Sequence, residues 1–356
     1  MTEAGSQAPR RLLIAAIFCA LVCLPSQQAA AQGSAFAPPP AQSAQSKANI
    51  VPIPRPRPPI PEYAATTQAK TDILEFLSGP FPDDDAAPGS SRGIFNIDDE
   101  GRRGRRTGRG HIYWENETYN DQRVLLHIPA GFSLQRPGII IVFFHGHGAE
   151  IKRDIGRRQQ LPAQISESRA NAVLVAPQFA LDAADSSPGK FRKPGAFSRF
   201  LREAAHNLGR LHGDPRAEQT FSRMPVVIIG YSGGYLPIAW ILRNNDVKRR
   251  VRGVVLLDAL YGELDKFRDW IEGDRSAFFV SAYLGSTRRQ NIELQRVLSE
   301  RSIEFSMSLN GQLKPGSVVF LAGDTQEMTH RDFVTQAWAT DPIADVLNRL
   351  SEYRRR

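Results

Sequence analysis

Residues 225–235 read Pro-Val-Val-Ile-Ile-Gly-Tyr-Ser-Gly-Gly-Tyr, and few stretches restrict a fold more. The β-branched run Val226 to Ile229 predicts a strand, and Leu236 to Arg243 predicts a helix. Only Gly230-Tyr231-Ser232-Gly233-Gly234-Tyr235 separates them. A chain that passes from strand to helix in so few residues must turn sharply, and the positions two before and two after the serine must be small. Glycine supplies that room and tolerates unusual backbone angles. The serine then stands at the carboxyl end of a strand.

The rest of the chain supplies a sheet for that strand to join. Arg123 to Ile128 alternates as an antiparallel strand does, and Gly138 to Phe144 is a continuous apolar run, as in a strand buried on both faces. Further runs lie at Ala172 to Ala176, Val254 to Leu257, Ala277 to Val280 and Val318 to Leu321. Helical patterns intervene at Phe197 to Leu211, Asp265 to Ile271 and Asn291 to Arg301, and Asp341 to Arg356 reads as a closing helix. Alternating strands and helices predict one α/β domain with a doubly wound, mostly parallel sheet. Its expected extent is 111–356.

A serine hydroxyl is a weak nucleophile until a base takes its proton, and a histidine base needs an acid to orient it. In an open parallel sheet such groups meet at the carboxyl ends of the strands. Of the seven histidines, His330 follows the last apolar run through a short loop, and it is the expected base. Asp258 ends the run Val254 to Leu257, where a carboxylate is costly to bury without partners. It is the expected acid; Asp324 and then Asp332 are the alternatives. His145-Gly146-His147-Gly148 follows the strand that ends at Phe144. Backbone N–H groups of His147 and Gly148, with that of Gly233, are the expected oxyanion donors. His145 and His147 at i, i+2 lack a third ligand at convincing spacing, so neither metal nor cofactor is expected. The long segment 177–196 reads as a loop on the substrate side, with Phe179, Phe191 and Tyr231 as apolar contacts.

Strand-His-Gly-x-Gly, strand-Gly-Tyr-Ser-Gly-Gly-helix, then Asp258 and His330, in the order Ser, Asp, His, resembles the α/β-hydrolase superfamily over about residues 120–350. The resemblance implies an α/β-hydrolase fold and hydrolysis of an ester, thioester or amide through an acyl-enzyme. The family more often places its acid one strand later than Asp258.

The amino-terminal part reads differently. Arg10-Arg11, the apolar run Leu12 to Leu24 and Ala29-Ala30-Ala31 match a secretory signal over 1–31, and an apolar run this short does not suit a permanent membrane span. An uncleaved anchor is the alternative. Both cysteines, Cys19 and Cys23, lie inside this run. Cleavage after Ala31 would leave no cysteine, which excludes disulfides, thiol nucleophiles and thiolate metal sites. Residues 32–62 carry repeated prolines and predict a polyproline spacer. Residues 63–110 form a poorly defined extension, in which Thr71 to Leu77 reads as one or two helical turns, while Asp83-Asp84-Asp85 and Gly101 to Arg106 read as exposed loops.

A formal net charge of +8 implies a basic surface suited to anionic envelope polymers or lipid head groups. The expectation is an exported serine hydrolase, periplasmic or secreted, acting on a small-molecule or lipid acyl substrate and not on nucleic acid. A non-catalytic protein of the same fold that binds an envelope polymer is the alternative. Oligomeric state is left open.

Overall fold

The computed structural model describes residues 65–83, 94–214, 216–324 and 326–355. The signal and spacer readings, 1–31 and 32–62, lie outside the described residues. The strands are β1 (Lys70–Glu75), β2 (Ile97–Asp99), β3 (Arg102–Arg106), β4 (Ile112–Trp114), β5 (Arg123–Ile128), β6 (Ile139–Phe144), β7 (Ala172–Pro177), β8 (Val226–Tyr231), β9 (Val251–Leu257), β10 (Phe278–Tyr283) and β11 (Val318–Ala322). Eight of them form one sheet in the order β1-β5-β7-β6-β8-β9-β10-β11, and β2-β3-β4 form a small antiparallel sheet. From β7 to β11 every neighbouring pair is parallel. β5 runs antiparallel to both β1 and β7. A single reversed strand near one edge of a parallel sheet, with helices packed on both faces, is the α/β-hydrolase fold.

The continuous apolar runs are explained by burial on both faces. In β6, Ile140, Val142 and Phe144 enter one core while Ile139, Ile141 and Phe143 enter the other. β8 divides in the same way, with Val226 and Ile228 opposite Val227, Ile229 and Tyr231. Each such side chain contributes about 1.5–3 kcal/mol when fully buried. The larger core also holds a group of phenylalanines: Phe144, Phe179, Phe191, Phe197 and Phe200 meet in a chain of ring contacts with centroids 5.0–6.2 Å apart.

Four expectations are corrected here. Thr71 to Leu77 is not helical: Lys70–Glu75 is the edge strand β1, paired in register with β5, and Ile73 and Leu74 pack into opposite cores. The central sheet therefore takes in residues well before 111. Within Gly101 to Arg106, Arg102–Arg106 is strand β3 and not an exposed loop; Arg103 is held by Glu115 at 2.6 Å. Asp83 is buried, paired with Arg192 and with Lys193. The closing helix is short, Pro342–Asn348. Beyond it Tyr353 is buried, and the Arg355 backbone N–H donates to the Arg169 carbonyl at 2.8 Å, which ties the terminal segment against the rest instead of continuing the helix.

Candidate active site

β8 ends at Tyr231, and Ser232 follows with φ of 53°, in the left-handed region that a side chain rarely adopts. The helix Tyr235–Asn244 starts three residues later. Two glycines make the turn possible. A methyl group on Gly234 would lie 2.5 Å from the Phe144 carbonyl oxygen, and one on Gly230 would lie 2.6 Å from Ile238 Cδ1. Strain at Ser232 is thus maintained by close packing against β6 and the following helix.

Ser232, His330 and Asp258 come together. Ser232 Oγ is 2.9 Å from His330 Nε2, and His330 Nδ1 is 2.6 Å from Asp258 Oδ2. Asp258 is fully buried at the end of β9, also with positive φ (43°). Its carboxylate accepts from the Leu284 backbone N–H at 3.0 Å, from the Thr287 hydroxyl, and from Ser286 Oγ at 3.3 Å. Burial alone would raise its pKa, but the bonds from His330, Leu284 and Thr287 outweigh it and hold the carboxyl below its ordinary range. An ionised carboxylate only accepts, so Nδ1 of His330 carries a proton and Nε2 presents its lone pair to the Ser232 hydroxyl. The imidazole is further fixed by Tyr231. Its ring stacks on His330 (5.0 Å, 24°) and its hydroxyl donates to the His330 carbonyl at 3.1 Å. Burial pushes the Tyr231 hydroxyl up to about 12, so it stays a donor. Asp324 and Asp332 lie elsewhere: Asp324 accepts from the Gln326 N–H, and Asp332 caps a short helical turn through Thr329.

The loop after β6 lies beside the elbow, since a methyl on Gly146 would be 2.7 Å from Ser232 Cβ, and one on Gly233 would be 2.6 Å from the His147 ring. His145 shapes this loop. It is buried, its Nδ1 donates to the Gly146 carbonyl at 2.8 Å, and its Nε2 accepts from the Phe179 N–H at 2.8 Å. Burial pushes its pKa down to about 4, so it stays neutral. Gly148 does not serve as expected. Its N–H donates to the Ala183 carbonyl at 2.9 Å, so it is engaged by the protein's own backbone.

Phe179 and Phe191 are also corrected. Both are buried in the phenylalanine cluster and not turned to a substrate. An apolar residue in a long loop reads as exposed until the loop is seen to fold over its own core.

A cavity of about 790 Å³ opens over Ser232. Tyr231, Gly233, His330 and His147 line it, and so do residues that sequence reasoning missed: Tyr235, Tyr261, Ser186, Arg153, Asp154, Arg158 and Arg331. Arg153, Asp154 and Arg158 come from a π-helical stretch, Ile151–Arg158. Its one sequence signal was Ile151 and Ile155 four apart, the buried side of a helical turn. Tyr261 Oη lies 3.3 Å from Ser286 Oγ, and burial raises its pKa. Among the described residues no group of three or more His, Cys, Asp or Glu is placed to hold a metal ion.

No family model matches the sequence, and no curated protein does. Solved structures of similar fold include a feruloyl esterase module from Clostridium thermocellum, at 15% identity over 81% of this chain and 95% of that one, with a TM-score of 0.42. An S-formylglutathione hydrolase from Agrobacterium tumefaciens is 13% identical over 72% of this chain and 98% of that one (TM-score 0.41). An esterase from Pyrobaculum calidifontis is 14% identical over 64% of this chain and 80% of that one (TM-score 0.35).

Proposed function

We propose that the chain is a serine hydrolase that cleaves an ester bond through an acyl-enzyme on Ser232. One observation carries the reading: a strained serine at φ 53° whose hydroxyl is 2.9 Å from His330, which is itself 2.6 Å from a buried carboxylate. In this reading His330 Nε2 takes the proton as Ser232 Oγ attacks the acyl carbon, and Asp258 stabilises the imidazolium. The charge on the tetrahedral oxygen falls to the backbone N–H of Gly233, and to that of His147 across the turn. The imidazolium then protonates the leaving oxygen. Water, deprotonated in turn by His330, releases the acid.

Labelling with a fluorophosphonate probe tests this. The wild type becomes labelled and Ser232→Ala does not; a folded wild type that stays unlabelled would overturn the reading.

Export belongs to the same proposal and rests on the Arg10 to Ala31 pattern. Mass spectrometry of the cell-envelope fraction is expected to find a mature chain starting at about Gln32. A chain retained in the cytoplasm with Met1 or Thr2 at its start would refute export.

A further inference from the structure

The cavity over Ser232 holds more positive charge than ester hydrolysis requires. Three arginines and one acid line it, and they are not equally committed. Arg153 Nη2 is spent on Asp182 at 2.7 Å, Asp154 at 2.6 Å and the Gly148 carbonyl at 2.8 Å. Asp154 is saturated as well. It takes Arg153, the Glu150 N–H at 2.8 Å and Arg158 Nε at 2.8 Å.

Two cationic ends are left over. Arg158 uses only its Nε, and its two terminal amino groups have no hydrogen-bond or ion-pair partner among the described residues. Arg331 has none there either, because the adjacent carboxylate of Asp332 is turned to the Thr329 N–H and hydroxyl at 2.8 and 2.7 Å. Asp258 does not offset them at the surface, being fully buried behind His330. The cavity wall also carries Tyr231, Tyr235 and Tyr261, and aromatic faces suit a flat group near a guanidinium. An unsatisfied guanidinium presents a planar fork of donors that matches a small oxyanion.

We propose that this cavity takes an ester carrying a second, anionic group, a carboxylate or a phosphate, which Arg158 and Arg331 hold while the ester carbonyl lies at Ser232. The inference rests on the hydrolase reading for its ester and on the two uncommitted arginines for its charge. It turns a general basic surface into a specific selection at one site.

Binding to the Ser232→Ala protein tests the charge without requiring turnover. The probes are phenyl acetate, 4-acetoxybenzoate and 4-acetoxyphenyl phosphate for the alcohol side. For the acyl side they are the 4-nitrophenyl esters of butyrate and succinate, the latter with a free carboxylate. Calorimetry is expected to show at least one anionic ester binding about tenfold more tightly than its neutral counterpart, as a charged hydrogen bond can supply. The preference shrinks as salt is raised. It is lost in Ser232→Ala/Arg331→Gln, weakened in Ser232→Ala/Arg158→Gln and retained in Ser232→Ala/Arg331→Lys. Which anion gains more distinguishes carboxylate from phosphate. Equal or weaker binding of every anionic ester overturns the proposal, as does a preference that survives both arginine replacements. A charge preference in Ser232→Ala together with a wild type that hydrolyses none of these esters sinks the hydrolase reading and leaves the anion site standing.

Discussion

The two halves of the site are held by different physics. The elbow half, Gly230 to Gly234, is held by shape: glycines packed against Phe144 and Ile238, and a serine kept at a backbone angle it would not choose. The Asp258–His330 half is held by polar bonds. A buried carboxylate takes donors from His330, Leu284, Thr287 and Ser286, and the His330 ring rests on Tyr231. Shape fails when an atom is added, whereas a polar network fails when a donor or acceptor is removed or retitrated. Each half therefore has its own way of breaking.

The largest expected effect is on the polar half. Asp258→Asn keeps the volume, but its amide can donate to Nδ1 and drive the ring proton to Nε2, where it blocks the Ser232 hydroxyl. A loss of about 10⁴ in kcat is expected, the size seen when a triad acid becomes an amide. Ester hydrolysis rates measure it, with Asp324→Asn as the comparison expected to stay near wild type. If Asp324→Asn proves the crippled variant, the acid has been misassigned.

Acid separates the halves next. His145 in the loop beside the elbow and His127 in β5 are both held down to about 4, chiefly by burial and for His127 also by Arg355. The unfolded chain, with histidines near 6.5, binds those protons more readily. Stability due to each is therefore fully present above about pH 6.5 and is lost as pH falls toward about 4, by about 3 kcal/mol apiece. Asp258, whose pKa is lowered, acts in a more acidic window: its contribution is present above the unfolded carboxylate value and is lost as pH falls below it. Denaturant melts across pH 7 to 4 should show the histidine slope, to which His147 and His212, also lowered by burial, contribute, and His127→Gln should remove part of it. A flat profile over that range would mean that both rings titrate as free histidines do.

These halves were not equally legible. A steric turn leaves its mark locally, so Gly230 to Gly234 announces the elbow within five residues of sequence. The apolar runs likewise announce strands buried on both faces. Asp258 and His330 were found only by asking what lies at strand ends, and their partners Thr287 and Ser286 gave no signal, because a hydroxyl near a carboxylate looks like any loop residue. The misreadings have one cause. β1 is a strand because β5 lies beside it, about fifty residues on in the sequence, and Phe179 and Phe191 are core because the loop that holds them folds back. Arg158 and Arg331 reach the same cavity from segments far apart in the chain. Non-local contacts decide such positions, and periodicity cannot report them.

Adding a single carbon tests the shape half. Gly234→Ala would put its Cβ against the Phe144 backbone, which cannot swing aside, and overpacking of this kind costs about 1–3 kcal/mol. Gly230→Ala meets chiefly the flexible end of Ile238, with the Gly234 carbonyl oxygen farther off at 3.2 Å, and should cost less. Urea midpoints rank the two. The opposite order would mean that the elbow is held by the helix following it and not by β6.

Tyr231 belongs to both halves, and the smallest effect falls on it. It ends the strand that leads into the elbow, yet its hydroxyl and ring hold His330. Tyr231→Phe keeps the stack and removes one hydrogen bond, worth about 1 kcal/mol. If Tyr231 positions the base, kcat falls several-fold and KM stays put, because the loss is felt as the proton moves. If its hydroxyl instead grips substrate, KM rises and kcat holds. The stacked geometry favours the first outcome. A histidine resting on a tyrosine from the elbow is how the polar half keeps its register with the half held by shape.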